Sequence, residues 1–436
     1  AASRLGALVV PVNARLAPPE VAHVLRDSGA AVVVSEPELD AAVDAAAVDA
    51  AGVAVRRFSL GAGAHPDLLT AAADPVTTDA AAESDDAYIL YTSGTTGRPK
   101  GVLLDHHRAV WAALAQVTSL GMRDGERYLH LSPLYHSGGV VFTSAVTLLG
   151  GTNVLLGAFD PGRLLATVEQ ERVTALLGVP TMYEFLLRHP AVGTRDLSSW
   201  RIGVFGAAPM AAETIETLVA TFPHVAFYQQ CGQTEAGPTG LYSTAEQVRA
   251  EPDSSGHLAQ PFVEFRVVGE DGAEVIEAGG VGELLFRGEP VMKGYWRNPE
   301  ATAETVRDGW LRTGDLLRKG TDGAWKLVDR LKDVILTGGR NVYSAEVEQA
   351  LRSHPAVADC AVVGRPNADW GDTIVAVVTP GEGLTPTLEE LREHCRPLIA
   401  DYKLPRELVL AAVPRNATGK LQKHLVREML TRAGAR

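Results

Sequence analysis

At 436 residues the chain is long enough for more than one hydrophobic core, so two or more domains are predicted. A hydrophobic share of 46% beside 21% charged residues is that of an ordinary folded protein and excludes disorder on a large scale. The 40 Lys and Arg against 53 Asp and Glu leave a formal charge of −13, which argues against sequence-independent attraction to nucleic acid or an anionic membrane.

Three cysteines, Cys231, Cys360 and Cys395, stand far apart without metal-ligand spacing, as reduced thiols in a cytoplasm would. No window reaches the roughly 18 uninterrupted apolar residues of a membrane-spanning helix, and no charged-then-apolar leader opens the chain. Ala1 stands where a methionine would, and residues 8–12 already read as a buried strand, so a further N-terminal stretch is expected before this point. Residues 8–12, a helix over 18–28 and a strand over 31–34 form a β-α-β pattern, the mark of a parallel layered sheet. Residues 37–86, rich in Ala, Asp and Val, carry no motif and read as filler and linker.

An apolar strand over 87–91 then runs into the loop 91–100, Tyr-Thr-Ser-Gly-Thr-Thr-Gly-Arg-Pro-Lys, which leaves a strand end where open α/β sheets bind ligands. Gly94 and Gly97 permit close backbone approach, Thr92, Ser93, Thr95 and Thr96 supply hydroxyls, and Lys100 is a compact cation suited to a polyphosphate. The P-loop of NTPases fails here, because its Gly-Lys-Ser/Thr slot reads Pro99-Lys100-Gly101. Pro99 removes a backbone N–H, and Gly101 has no hydroxyl for a metal ion.

Onward, a helix over 108–120, a strand over 128–131, a helical stretch to Leu148, and strands at 173–177 and 201–205 continue the α/β pattern. Short alternating strands between 262 and 286, with the turn Glu270-Asp271-Gly272, read as an antiparallel barrel or meander. From 330 onward about 100 residues remain, the size of a compact domain. Strands at 361–363 and 374–378 with a helix over 387–395 make it α+β.

His136, after the strand over 128–131, opens toward a pocket; alone, such a histidine is more often a packing or capping residue. Residues 178–183 read equally as a strand with a helix cap or as a pocket wall carrying Thr181 and Tyr183. Gly206, Ala207 and Ala208 end a strand with small side chains, permitting a flat ring to lie against the backbone. Glu235 is a lone loop carboxylate, Thr313-Gly314-Asp315 is turn-like, and Lys420 would ordinarily be a solvated loop lysine.

In this order the segments resemble the adenylate-forming superfamily of acyl-CoA synthetases, firefly luciferase and peptide-synthetase adenylation domains, and within it the fatty-acid or medium-chain acyl-CoA ligases. The resemblance implies an α/β protein. Its N-terminal domain, residues 1–329, would be of layered α/β sheets plus a small β-barrel at about 256–329, followed by a small mobile α+β C-terminal domain, 330–436, hinged at Lys332. It further implies that Thr92, Ser93, Gly94, Thr95, Thr96, Gly97 and Lys100 hold the β- and γ-phosphates of ATP. Thr234 would bind the α-phosphate, and Glu235 with Thr92 a Mg²⁺ ion. Gly206, Ala207 and Ala208, with Gln230, Cys231 and Gly232, match the adenine and acyl contact strip. Cys231 departs from the aromatic residue usual there, Tyr228 is the substitute the segment offers, and without a His or basic partner Cys231 is no nucleophile. His136 falls on the motif that lines the acyl pocket, which argues against an amino-acid substrate. Asp315 and Arg330 would take the ribose, Gly339 and Arg340 the coenzyme A tunnel, and Lys420 would bridge carboxylate and α-phosphate during transfer.

The function implied is activation of a carboxylic acid by ATP and its transfer to coenzyme A, with an apolar acyl or aryl group as the acid. Two alternatives are kept: a stand-alone adenylation enzyme loading a carrier protein, and a relative that has lost adenylation. A homodimer and an acyl carrier protein are left open as partners.

Overall fold

The computed structural model describes residues 2–49, 55–71, 81–92, 99–208, 210–415 and 421–434. By packing, the chain forms two compact units. One comprises Ala1–Pro252, Leu258–Glu264 and Phe286–Leu311, and the other Asp253–His257, Phe265–Leu285 and Arg312–Arg436.

The first unit is built on a seven-stranded sheet. Its order is Leu258–Ala259, Gly240–Ser243, Ala226–Gly232, Ile202–Gly206, Ala175–Gly178, Arg127–His130 and Thr152–Leu155. The last five are mutually parallel, and Gly240–Ser243 runs antiparallel to both of its neighbours. Ile202–Gly206 is buried at every position, which explains its unbroken apolar run: a central parallel strand is covered on both faces. One face carries Tyr183, Trp200, Phe205, Phe222 and Phe227. On the other, Phe142 from the helix Ser137–Leu148 stacks on Tyr128 at 4.7 Å. Each such side chain contributes roughly 1.5–3 kcal/mol by leaving water. The helix His106–Leu120 starts where the Asp105 carboxylate accepts the Arg108 N–H at 2.9 Å, and stops at Gly121 in the left-handed region, φ 60°.

Three expectations are corrected here. Residues 8–12 form no strand; Val9 makes only an isolated parallel bridge to Tyr88. Residues 37–86 are not mere filler. They hold the helix Asp40–Asp49 and the strand Arg56–Ser59, parallel to Val32–Ser35, with the buried Asp40 carboxylate accepting from Ser35 Oγ and Ser59 Oγ at 2.7 Å each. Third, the strand before the loop 91–100 is not an end of the large α/β sheet. Asp86–Thr92 pairs antiparallel with Lys100–Asp105, off the large sheet, and the short strand Gly294–Tyr295 adds to the other edge. The short apolar run after Lys100, which the sequence reading left unassigned before the helix at 108–120, is this strand.

In the second unit, Val357–Asn367 and Gly371–Pro380 pair antiparallel, Ile335–Thr337 and Arg340–Val342 extend one side, and Glu407–Leu410 runs parallel to Gly371–Pro380. The side chains alternate strictly. Cys360, Val362, Ile374, Ala376 and Val378 face one core, and Ala361, Val363, Val375 and Val377 face a second with Val426 and Leu430 of the helix Lys423–Gly434. The predicted helix near 387–395 is Leu388–Cys395, capped by Thr387. The expected antiparallel character of the Gly272 region is borne out, with Val268 bridging Glu274 across a turn in which Gly272 has φ 81°. Among the described residues no helix is long and apolar enough to cross a membrane.

Candidate active site

Residues Ser93, Gly94, Thr95, Thr96 and Gly97 of the phosphate loop lie outside the described residues, as does Lys420 with 416–419. What frames each loop is described. Thr92 and Lys100 face each other in register across the hairpin, so both ends of the loop are held together. Arg415 and Leu421 bridge antiparallel, and Arg415 grips the Asp359 carboxylate through two nitrogens at 2.7 Å, anchoring the start of the last motif.

In the first unit, Lys100, Glu235 and Tyr295 form one cluster. The Tyr295 hydroxyl donates to Glu235 Oε1 at 2.9 Å, and the Lys100 ammonium lies 5.0 Å from the centre of the Tyr295 ring. Burial, then the neighbouring Glu235 carboxylate, push the Tyr295 phenol well above its ordinary pKa, so it remains a donor. Strand pairing puts Tyr295 there: it is in register with Val102, two residues beyond Lys100. The backbone continues the join, with Trp296 N donating to Gly101 O at 2.7 Å and Met292 N to Glu235 O at 2.8 Å.

Thr234 sits at the start of a short 3-10 turn, and its hydroxyl lies 3.0 Å from that of Ser137. Ser137 opens the helix Ser137–Leu148, for which His136 is the N-cap residue. The predicted pocket histidine and the predicted α-phosphate residue are thereby brought to one place. The His136 ring leans on Tyr135 at 4.9 Å, and the His136 backbone N–H donates to Pro133 O at 2.9 Å.

Gly206 is required by close approach, since a Cβ there would come 2.3 Å from Gln230 O on the neighbouring strand. Ala207 follows with φ 64°, an uncommon conformation for a side-chain-bearing residue, and both Ala207 and Ala208 are exposed. They present a small, flat step at the strand end. The Gln230 amide donates to Gln116 Oε1 at 2.7 Å, and the fully buried Gln116 donates onward to Pro238 O. Gln116 thus ties together both ends of the 231–237 segment that carries Thr234 and Glu235. Cys231 is half-buried and Gly232 exposed, both on the strand Ala226–Gly232. Tyr183 is a core residue, 1% exposed and donating to Val204 O, whereas Thr181 is exposed. The wall reading therefore holds nothing for Tyr183.

In the second unit, Asp315 and Arg330 face each other in register on the paired strands Trp310–Lys319 and Trp325–Arg330, with Nε 3.0 Å from Oδ1. The carboxylate is buried and its backbone is shaped by Gly314, φ 71°. Gly338 and Gly339 both have positive φ, 56° and 71°, and form the two-residue turn joining Ile335–Thr337 to Arg340–Val342. Arg340, exposed, lies over the Tyr402 ring at 4.8 Å. Lys332 is exposed in a short 3-10 turn beside Asp333, which accepts from Arg427 at 2.8 Å.

Tyr295, Ser137 and Gln116 escaped the sequence reading. Tyr295 had a weak signal in Lys293-Gly294-Tyr295-Trp296, two aromatics beside a glycine; the other two had none. Among the described residues no group of three His, Cys, Asp or Glu side chains is placed to hold a metal. One half-buried carboxylate, Glu235, suits a hard cation that takes most of its oxygens from substrate and water.

Residues 1–296 match the family described as AMP-binding enzyme, and 346–420 the AMP-binding enzyme C-terminal domain. The chain is 40% identical over 430 residues to a feruloyl-CoA synthase of Amycolatopsis sp, covering 98% of this chain and 84% of that protein. To an indoleacetate–CoA ligase of Aromatoleum aromaticum it is 36% identical over 439 residues, 99% of this chain and 85% of that one. The crystal structure of ATP-bound MatB from Rhodopseudomonas palustris matches with a TM-score of 0.86 at 33% identity, covering 98% of this chain and 84% of that chain. With its large and its C-terminal segment both matched, the chain belongs to the AMP-binding enzymes of the adenylate-forming superfamily.

Proposed function

We infer that the protein is an ATP-dependent acid–thiol ligase that makes an acyl-adenylate and passes the acyl group to coenzyme A. In the first step a carboxylate oxygen of the acid attacks the α-phosphorus; the new P–O bond forms as the bond to the β-phosphate bridge breaks, and pyrophosphate leaves with the electron pair. In the second the sulfur of coenzyme A attacks the acyl carbon, the C–O bond to AMP breaks, and the thiol proton passes to solvent.

The observation that carries this reading is the gathering of Lys100 and Glu235 on Tyr295, and of Thr234 on the helix start that bears His136. Lys100 neutralises β- and γ-phosphate charge, and the Thr234 hydroxyl donates to the α-phosphate. Glu235, with Thr92, would hold Mg²⁺, which would supply further charge neutralisation there. Asp315 accepts both ribose hydroxyls while Arg330 keeps its carboxylate oriented. Lys420 meets the charge that moves between carboxylate and α-phosphate. The acyl group lies along His136 and the Gly206–Ala208 step, and Arg340 with Gly339 serves coenzyme A. A division at 329/330 with the hinge at Lys332 and a cytoplasmic setting belong to the same proposal. Catalysis is by positioning and electrostatics, without an acid–base dyad.

The small and apolar residues about His136 and Gly206 favour an apolar or aryl acid, and the feruloyl- and indoleacetate-activating relatives support the aryl choice. Acid-dependent ATP–pyrophosphate exchange over a panel of aryl, aliphatic and dicarboxylic acids, followed by thioester analysis with coenzyme A, tests it. Exchange with arylalkanoic or arylpropenoic acids is expected. A response to charged diacids alone would overturn the substrate class, and the absence of exchange with any acid would overturn the ligase reading.

A further inference from the structure

We propose that Tyr295 is the positioning residue of the phosphate and metal side of the site, setting Glu235 and Lys100 through two different atoms of one side chain. The proposal rests on the ligase reading above. Its hydroxyl donates to Glu235 Oε1 at 2.9 Å, which orients the carboxylate, and its ring face lies under the Lys100 ammonium at 5.0 Å. The side chain is itself held. Tyr295 N donates to Thr302 Oγ1 at 2.8 Å, and Gly294 precedes it with φ 154°, where a Cβ would meet the Thr302 side chain at 2.9 Å. On one side the segment 290–296 pairs with the strand that begins at Lys100. On the other it meets the turn bearing Glu235, through Met292 N on Glu235 O and Pro290 O packed against Gly237, whose Cβ would lie 2.1 Å away. Glu235 and Lys100, 135 residues apart, therefore depend on this strand for their mutual placement. An outer hydrogen bond of this kind orients the ligand carboxylate, while a cation over an aromatic face is held without being consumed by a counter-charge.

Two substitutions separate the two contacts. Tyr295→Phe keeps the ring and removes the donor, whereas Tyr295→Leu removes both. Titration calorimetry of ATP binding at varied Mg²⁺, and again in excess chelator, is the measurement, with thermal denaturation as the control for folding. Tyr295→Phe is expected to raise the Mg²⁺ needed for half-maximal nucleotide binding about tenfold, and to leave binding in chelator unchanged. Tyr295→Leu is expected to weaken binding in chelator as well, by about threefold, since Lys100 loses its platform. A Mg²⁺ dependence in Tyr295→Phe identical to the parent's overturns the inference, as does a loss in both variants that follows melting temperature alone. Failure of the parent protein to bind ATP at all overturns the ligase reading instead. Should Tyr295→Leu not fold, the Tyr295→Phe curve decides.

Discussion

The two units place their candidate residues by different means. In the second, Asp315 and Arg330 meet because they are register partners on strands joined by a short turn, so the pair is a consequence of local chain geometry. In the first, Glu235 meets Tyr295 across 60 residues and Ser137 meets Thr234 across 97, through side chains carried by different elements. A register pair tolerates loss of its side-chain bond because the ladder holds the backbone. The contacts of the first unit join segments far apart in the chain, Tyr295 through the pairing and backbone bonds of 290–296 with Lys100–Asp105 and Glu235, and Thr234 through the packing of its turn on the start of the helix Ser137–Leu148. The second unit also has a buried polar chain of its own: Lys423 pairs with Glu348 at 2.8 Å and donates to Ser344 Oγ, which donates to Asp329 at 2.6 Å.

The sharpest way to break the contrast is Lys423→Met. Lys423 and Glu348 are 11% and 6% exposed, so the substitution takes one buried partner from a carboxylate that keeps Arg352 at 3.4 Å and the Val362 N–H at 2.9 Å, and it should cost about 2–3 kcal/mol of stability. Urea unfolding followed by circular dichroism measures this, and Glu348→Gln in the same chain should recover a large part of the loss.

Asp315→Asn tests the register pair. The strand ladder should keep the fold, while the KM for ATP rises roughly 10- to 100-fold through loss of charged hydrogen bonds. The comparison with 2′,3′-dideoxy-ATP is diagnostic: the parent should discriminate strongly between the two nucleotides and the variant hardly at all.

Tyr183→Phe removes a buried donor from Val204 O and should destabilise by about 1–2 kcal/mol, leaving acid preference unchanged if Tyr183 belongs to the core. A shift in the preferred acid at unchanged stability would restore its place in the pocket wall.

The smallest effect concerns His107, which lies 2.6 Å from both Glu83 and Glu289. Its hydrogen bonds to Glu289 and then Glu83 raise its pKa above the ordinary value. The protonated form is thus favoured in the folded state. The associated stability is complete below the unfolded pKa and declines as pH rises through the raised one. His107→Gln should flatten that slope in urea midpoints measured between pH 6 and pH 9, with little change at the alkaline end.

Much of the fold and site was legible from residue order. The apolar runs at 361–363, 374–378 and 201–205 marked strands, and each is a buried strand in the structure, because a strand covered on both faces is apolar at every position. The candidate residues Lys100, Glu235, Asp315 and Arg330 were singled out by the order of their motifs and the resemblance it carries; Glu235 and Asp315 taken singly gave only a loop carboxylate and a turn, and the roles of all four remain part of the proposal.

What remained for the tertiary structure was which of these groups meet, and through whom. The strand that turns residues 100–105 back along 86–92, the edge strand that delivers Tyr295, and the glutamine that ties Gln230 to Pro238 all join segments far apart in sequence. Such pairings depend on strand register and packing summed over the whole sheet, and no local period encodes them. By itself the sequence determined the chemistry available; the folded chain decided that Glu235 and Lys100 share one tyrosine, and that Gln230 is tied through Gln116 to the far end of the loop that follows it.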